Sequence, residues 1–146
     1  MSAEPFVIDA SNQILGRVAS AAAKRALNGE RVVVVNVEKA VISGRKLRTL
    51  EDVKIMLGTR THQSQERAPR HPRKPDLYAR RVVRGMLPWK KPSGKVAFRK
   101  VHVHMGVPEE YMSKEMHRIA GADASKLHCS YITLAELSRE IGGMAT

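Results

Sequence analysis

The chain has 146 residues, 42% of them hydrophobic, and a formal net charge of +12, so it is long enough for one well-packed domain and strongly cationic. No apolar run approaches the roughly 18 to 20 residues needed to cross a bilayer, and the N-terminus has neither a basic nor an apolar leader segment, so a cytoplasmic protein without membrane partners is expected. The one cysteine, Cys129, excludes an intrachain disulfide, as expected of a reducing compartment.

Residues 6–9 form a short apolar run ending in Asp9 and lead through Ala10, Ser11 and Asn12 into a helical pattern, which predicts a strand entering a helix. In that helix Leu15, Val18, Ala19, Ala22 and Ala26 share a face, Arg17 and Lys24 lie opposite, and Asn28-Gly29 supplies the stop. The alanine face lets the helix lie close against a sheet. Residues 31–37 are a continuous β-branched run, the pattern of a strand covered on both sides. Strand, helix, strand predicts a right-handed parallel unit. Residues 38–42 predict a further short extended piece, and Leu47, Leu50, Val53, Met56 and Leu57 predict a helix from about Ser43-Gly44 to Gly58.

The periodicity then fails. Residues 60–75 contain Pro69, Pro72 and Pro75, and Ala68 is their one other apolar side chain, so an extended basic loop is expected. A short helix follows, with Asp76 as its expected N-cap, Ala79, Val82, Val83 and Met86 on the packing side, and Arg80, Arg81 and Arg84 on the other. Pro88 stops it. A basic turn over 90–94, a helical turn over 94–100 and an alternating strand over 101–105 come next. Thr133 and Glu136 fit a capping box for a last helix whose Leu134, Leu137 and Ile141 share a face and whose end is Gly142-Gly143. The expected architecture is a single domain over residues 1–146, a small α/β layer structure with a mostly parallel sheet and a basic excursion over residues 60–100.

Chemistry that such a fold often supports lacks its residues here. Only Gly16 follows the first strand, and neither glycine-rich phosphate fingerprint occurs, so no dinucleotide or ATP site is expected. Asp9 reads as a turn residue accepting hydrogen bonds. His102 and His104 project from one strand face, but two ligands do not make a metal site. Glu109-Glu110 lacks a partner that would tune an acid against a base, and His128-Cys129 stands alone. No catalytic residue, metal, cofactor or small-molecule substrate is therefore expected.

The basic residues carry the functional signal. Residues 60–100 hold thirteen Lys or Arg against only Glu66 and Asp76, net +11, while the segments on either side contribute little charge. Self-repulsion of that size calls for a polyanion, and nucleic acid is the one that meets proteins over large surfaces. Arg outnumbers Lys eight to five in the block, which suits multidentate phosphate contacts and stacking. Trp89 reads as an anchor for its turn, with base stacking the alternative. Base-specific DNA motifs are missing, so a folded RNA read by shape and backbone fits better.

Val7-Ile8-Asp9-Ala10, Ile14-Leu15-Gly16-Arg17-Val18-Ala19, Val34-Val35-Asn36, Val41-Ile42-Ser43-Gly44, and above all Val83-Arg84-Gly85-Met86-Leu87-Pro88 running into Phe98-Arg99-Lys100-Val101-His102-Val103 resemble the universal large-subunit ribosomal protein L-thirteen family. The resemblance covers about residues 6–107. Lys90-Lys91-Pro92-Ser93-Gly94 and the basic loop look like the archaeal-type branch. It implies a three-layer α/β/α fold around a four-stranded, mostly parallel sheet and a non-enzymatic role in binding and helping to fold large-subunit rRNA, beside neighbouring ribosomal proteins. By motif match Ser43, Gly44, Arg45 and Lys46 lie at the RNA surface, with Arg84, Lys90 and Lys91 there and Arg99 and Lys100 beside them. Together with the charge pattern, the expected rRNA-binding set adds Arg60, Arg67, Arg70, His71, Arg73, Lys74, Arg80, Arg81 and Lys95. A free-standing RNA-binding regulator of translation and, further off, a nucleotide-dependent enzyme are the alternatives.

Overall fold

The computed structural model describes residues 4–64 and 66–143. Strand β1 (Phe6–Asp9) lies between β2 (Val32–Val35) and β5 (Met116–His117), and β2 also pairs with β4 (Val101–Val103), giving the order β4-β2-β1-β5 with every pairing parallel. The centre of this sheet is dry: all four residues of β2 are buried, which explains a valine run without alternation.

Alternate side chains build two cores. On one face Ile8, Val32, Val34 and Val101 pack with α1 (Leu15–Leu27), α3 (Pro75–Met86) and α4 (Pro92–Arg99), through Val18, Ala22, Ala79, Val83 and Ala97. The alanines of α1 allow the close helix approach expected of them. On the opposite face Val7, Val33 and Val35 pack against Tyr111 of the short helix α5 (Glu109–Met112), with Val107 and Met116 at the margin. The architecture is α/β/α with a thin second layer.

A second, two-stranded antiparallel sheet joins β3 (Val41–Ser43) to β6 (Tyr131–Thr133), which runs directly into α6 (Leu134–Glu140). Thr133 caps α6 by accepting from the Glu136 amide at 3.3 Å. Gly142 in the left-handed region ends it, with Gly142 N–H on the Arg139 carbonyl and Gly143 N–H on that of Ser138, a Schellman closure.

Several expectations need correction. The extended piece over residues 38–42 begins instead as a 3-10 turn, Val37–Lys39, because Asn36 takes a left-handed conformation (φ 54°) that ends β2 at Val35. Asp76 does not cap α3. Lys74 holds the N-cap position and Pro75 the first helical turn, where a missing N–H costs nothing, while Asp76 sits in the first turn and complements the helix dipole. Helix α4 starts two residues earlier than expected, at Pro92, and is a full eight-residue helix. It approaches the preceding turn so closely that a Cβ on Gly94 would overlap the Pro88 carbonyl. Strands β5 and β6 are absent from the sequence reading, whereas Glu109-Glu110, which reads as a solvated turn or a helix start, begins α5. Helix α2 (Lys46–Gly58) matches its pattern, but buries only Leu50 and Val53 and leaves Leu47 and Ile55 exposed.

Candidate nucleic-acid interface

Helices α3 and α4 and the turn between them carry the centre of the basic block. Ala79 and Val83 are buried beneath α3, which turns Arg81 to solvent and leaves Arg80 and Arg84 partly covered. Both covered arginines lie on aromatic rings. The Arg80 guanidinium sits 4.8 Å from the Phe98 ring centroid and that of Arg84 lies 4.7 Å from Trp89, while Trp89 meets Phe98 edge-on at 5.2 Å. Trp89 is therefore not the buried anchor expected of it: it is exposed, meets Phe98 edge-on and serves as a platform for a cation. Such stacking fixes two guanidinium groups before any ligand arrives, so less rotamer entropy is lost on binding. Burial, then repulsion from Arg81, lowers the pKa of Arg84 from its ordinary value, without threatening its charge near neutrality. Burial first, then Arg31, Arg80 and His104, pulls His102 below the ordinary imidazole value, so it is neutral at pH 7 and adds no cation to this face.

The basic loop returns onto these helices. Arg70, His71, Arg80, Arg81 and Arg84 converge on one cavity of about 440 Å³ whose apolar wall is Leu77 and Phe98. His71 Nε2 lies 3.3 Å from the Thr59 carbonyl. Arg73 is tied down more firmly: its guanidinium donates to the Ile141 carbonyl at 3.0 Å, and its own carbonyl accepts the Ser138 hydroxyl at 2.6 Å. The end of the loop is therefore docked on α6, and a Cβ on Gly143 would collide with the Arg73 carbonyl.

The other members of the expected set divide by their surroundings. Arg60, Arg67, Lys74, Lys90, Lys91, Lys95 and Arg99 are exposed. Lys100 Nζ donates to the Gly29 carbonyl at 2.8 Å and so closes the turn after α1. Ser43, Gly44, Arg45 and Lys46 are positioned by other elements: Gly44, at φ +130°, donates its N–H to Ser130, and Lys46 Nζ lies 3.6 Å from Glu140 of α6. The cavity does not include them. Sequence reasoning missed Leu77 and Phe98 as its wall; an aromatic embedded in the run Lys95 to Lys100 was the available signal.

Ion pairing separates this face from the rest of the surface. Among the described residues the ion pairs are Arg25–Glu30, Lys46–Glu140, Arg48–Asp52, Arg118–Asp123 and the weaker His117–Glu115. Each involves a base outside residues 60–100. All thirteen Lys and Arg of that block stand without an acid in salt-bridge range among the described residues. An exposed helix normally interleaves its charges; on this surface the cations stand without internal counter-charges among the described residues.

The candidate catalytic groups have structural partners. Asp9 Oδ1 accepts from the Ser11 amide (3.1 Å), the Ser11 hydroxyl (2.8 Å) and Asn36 Nδ2 (2.9 Å), as its turn reading requires. Glu109 and Glu110 open α5. Among the described residues no group of three His, Cys, Asp or Glu is placed to hold a metal, and no helix is long and apolar enough to cross a membrane.

Residues 3–110 match the family described as Ribosomal protein L13. The chain is also similar to proteins named large ribosomal subunit protein uL13: 48% identical to that of Methanopyrus kandleri over 93% of this chain and 86% of the relative, and 49% identical to that of Archaeoglobus fulgidus over the same shares. Similarity to the Sulfurisphaera tokodaii protein, 44% identical, runs over 99% of both chains and so includes the C-terminal segment beyond Pro108.

Proposed function

We infer, because the chain belongs to the ribosomal protein L13 family, that it is a structural constituent of the large ribosomal subunit, binding rRNA and supporting subunit assembly, and that it is not an enzyme. One observation supports the RNA side of this reading above the others: a block of thirteen bases, several held in place by aromatic rings and hydrogen bonds, without an internal acid in salt-bridge range among the described residues. Phosphates are the missing counter-charges.

In this reading Arg60, Arg67, Arg70, Arg81, Arg84, Lys90, Lys91, Lys95 and Arg99 make the phosphate contacts, with Arg80, His71 and Lys74 beside them. Arg73 and Lys100 each spend one donor inside the protein and keep others for RNA, since a guanidinium carries five N–H groups and an ammonium three. Ser43, Gly44, Arg45 and Lys46 form a separate contact at the start of α2, whose first turn carries no acid. The chain acts as one domain, because a continuous core joins α1, α3, α4 and α6. Its C-terminal segment, which bears a small acid excess and exposed Met112 and Tyr131, faces neighbouring ribosomal proteins in the cytoplasmic ribosome.

Sucrose-gradient fractionation at rising salt tests this. A subunit constituent stays with large particles through moderate salt, whereas a loosely attached regulator is released. The isolated protein should bind large-subunit rRNA with a steep salt dependence: six to ten phosphate contacts correspond to a loss of about 10³ to 10⁵ in affinity between 50 and 200 mM salt. A flat dependence would remove the phosphate reading.

A further inference from the structure

We propose that the cavity between the basic loop and helices α3 and α4 receives one unpaired nucleotide of the rRNA, its base against Leu77 and Phe98 and its flanking phosphates on Arg70, Arg81 and Arg84. The proposal rests on the rRNA reading above and adds a site that reads single-strandedness. At about 440 Å³ the cavity falls in the range that holds one small-molecule-sized group. Its lining is of two kinds. An inorganic anion would use only the arginines, and an apolar ligand only the Leu77 and Phe98 wall; a nucleotide uses both. Among the described residues no acid lines the cavity, so charge complementarity favours a polyanionic partner over a protein side chain.

Arg80 supports the choice independently. Its Nε is buried and has no acceptor among the described residues, while its guanidinium is held over Phe98. The rest of that guanidinium lines the cavity, and a nucleobase offers it edge acceptors and a π-face, which is how splayed-out RNA bases are commonly held. Paired RNA cannot supply this: in a helix the bases stay stacked, and the protein meets phosphates, 2′-hydroxyls and minor-groove base edges but no free base face. The surface around the cavity therefore takes helical RNA on its exposed cations, and the cavity takes the nucleotide that leaves the stack.

The test uses the full-length protein and large-subunit rRNA as the probe. Leu77→Trp fills the cavity without altering charge, at a position about half exposed to solvent. It should lower affinity roughly tenfold and restore chemical reactivity to an unpaired nucleotide that the wild-type protein protects. Lys95→Gln, exposed and outside the cavity, should instead reduce the salt slope by roughly one contact while that protection persists. Should Leu77→Trp not fold cooperatively, ultraviolet cross-linking of the wild-type complex decides, with base cross-links expected on Leu77 or Phe98. Wild-type affinity and protection in Leu77→Trp, or cross-links confined to other segments, would overturn the proposal. A wild-type protein that fails to bind rRNA even at low salt would overturn the rRNA reading itself, a distinct result.

Discussion

The Ser138 hydroxyl donates a 2.6 Å hydrogen bond to the carbonyl of Arg73, so the last helix of the chain holds the end of the basic loop. Ser138 is buried, Gly143 packs against the same carbonyl, and Arg73 returns a hydrogen bond to Ile141. Folding of the C-terminal helix and placement of the cations at residues 70–74 are therefore coupled. Ser138→Ala leaves the Arg73 carbonyl without its side-chain partner and should destabilise the domain by about 1 kcal/mol, read as a lower urea midpoint. Limited trypsin digestion separates the two ends of the loop. The free wild-type protein should be cut after Arg67 or Arg70 while the bond after Arg73 survives; in Ser138→Ala it should open. Cutting after Arg73 at equal rates in both proteins would show that the clasp does not hold the loop.

The three arginines of α3 should not behave alike. Arg81 is exposed and stacks on no ring among the described residues, so Arg81→Gln should weaken rRNA binding with an unchanged melting temperature. Arg80 and Arg84 lie over Phe98 and Trp89, contacts worth about 0.5 to 1 kcal/mol each, so Arg80→Gln and Arg84→Gln should each lower both RNA affinity and thermal stability. The measurement is paired: a melting curve and an rRNA titration for each variant. Equal stability across all three would mean that the stacked geometry contributes nothing to the fold.

That division was invisible in the sequence, which placed all three on one polar face. Helical spacing separates Arg80, Arg81 and Arg84 from Ala79 and Val83, but it does not say that Phe98 and Trp89 come from α4 and its turn to meet two of them. The parallel core was legible because α1 buries one helical face while β1 and β2 are short apolar runs of the kind a sheet covered on both sides buries. The short pieces were not: β5 is two residues long and β6 three, and their place is set by backbone pairing with distant strands rather than by any local period. The basic block was legible as charge, since charge is additive along a chain. The cavity was not, because it exists only where the loop turns back over Leu77 and Phe98.

Asp9 gives a pH signature. Burial alone would raise its carboxyl pKa, but hydrogen bonds from Asn36 and Ser11, with the charge of Arg118, outweigh burial and hold it below its ordinary value. A carboxyl lowered in the folded state binds its proton more readily when unfolded. Its stabilising contribution is therefore complete above the unfolded value, near pH 4, and is lost as pH falls through the lower folded value. The fall in urea midpoint between pH 7 and pH 3 should be smaller in Asp9→Asn than in the wild type. Identical falls would place the acid sensitivity elsewhere.

Gln13 supplies the last prediction. It is almost fully buried, and its side-chain amide pairs in both directions with Ile119: Nε2 donates to the Ile119 carbonyl at 3.2 Å, and Oε1 accepts the Ile119 N–H at 3.3 Å. The Gln13 carbonyl also accepts the Val41 N–H at 2.9 Å, so one residue joins the first loop, the small sheet and the C-terminal segment. Gln13→Leu keeps the size but leaves the Ile119 N–H unpaired beside an apolar side chain, while the Ile119 carbonyl keeps the Ala122 N–H at 3.1 Å. One such group costs about 1 to 3 kcal/mol, a large part of a small domain's stability. Arg17 and Arg118 also bridge to this region, through the Gly121 carbonyl and through Ser11 and Asp123, so the chain should stay folded while the segment from β5 to Asp123 loosens. Amide hydrogen exchange should therefore speed up at residues 116–124 in Gln13→Leu, with protection in β2 and α1 falling much less. Uniform acceleration across the sheet would show that the C-terminal segment unfolds only together with the core.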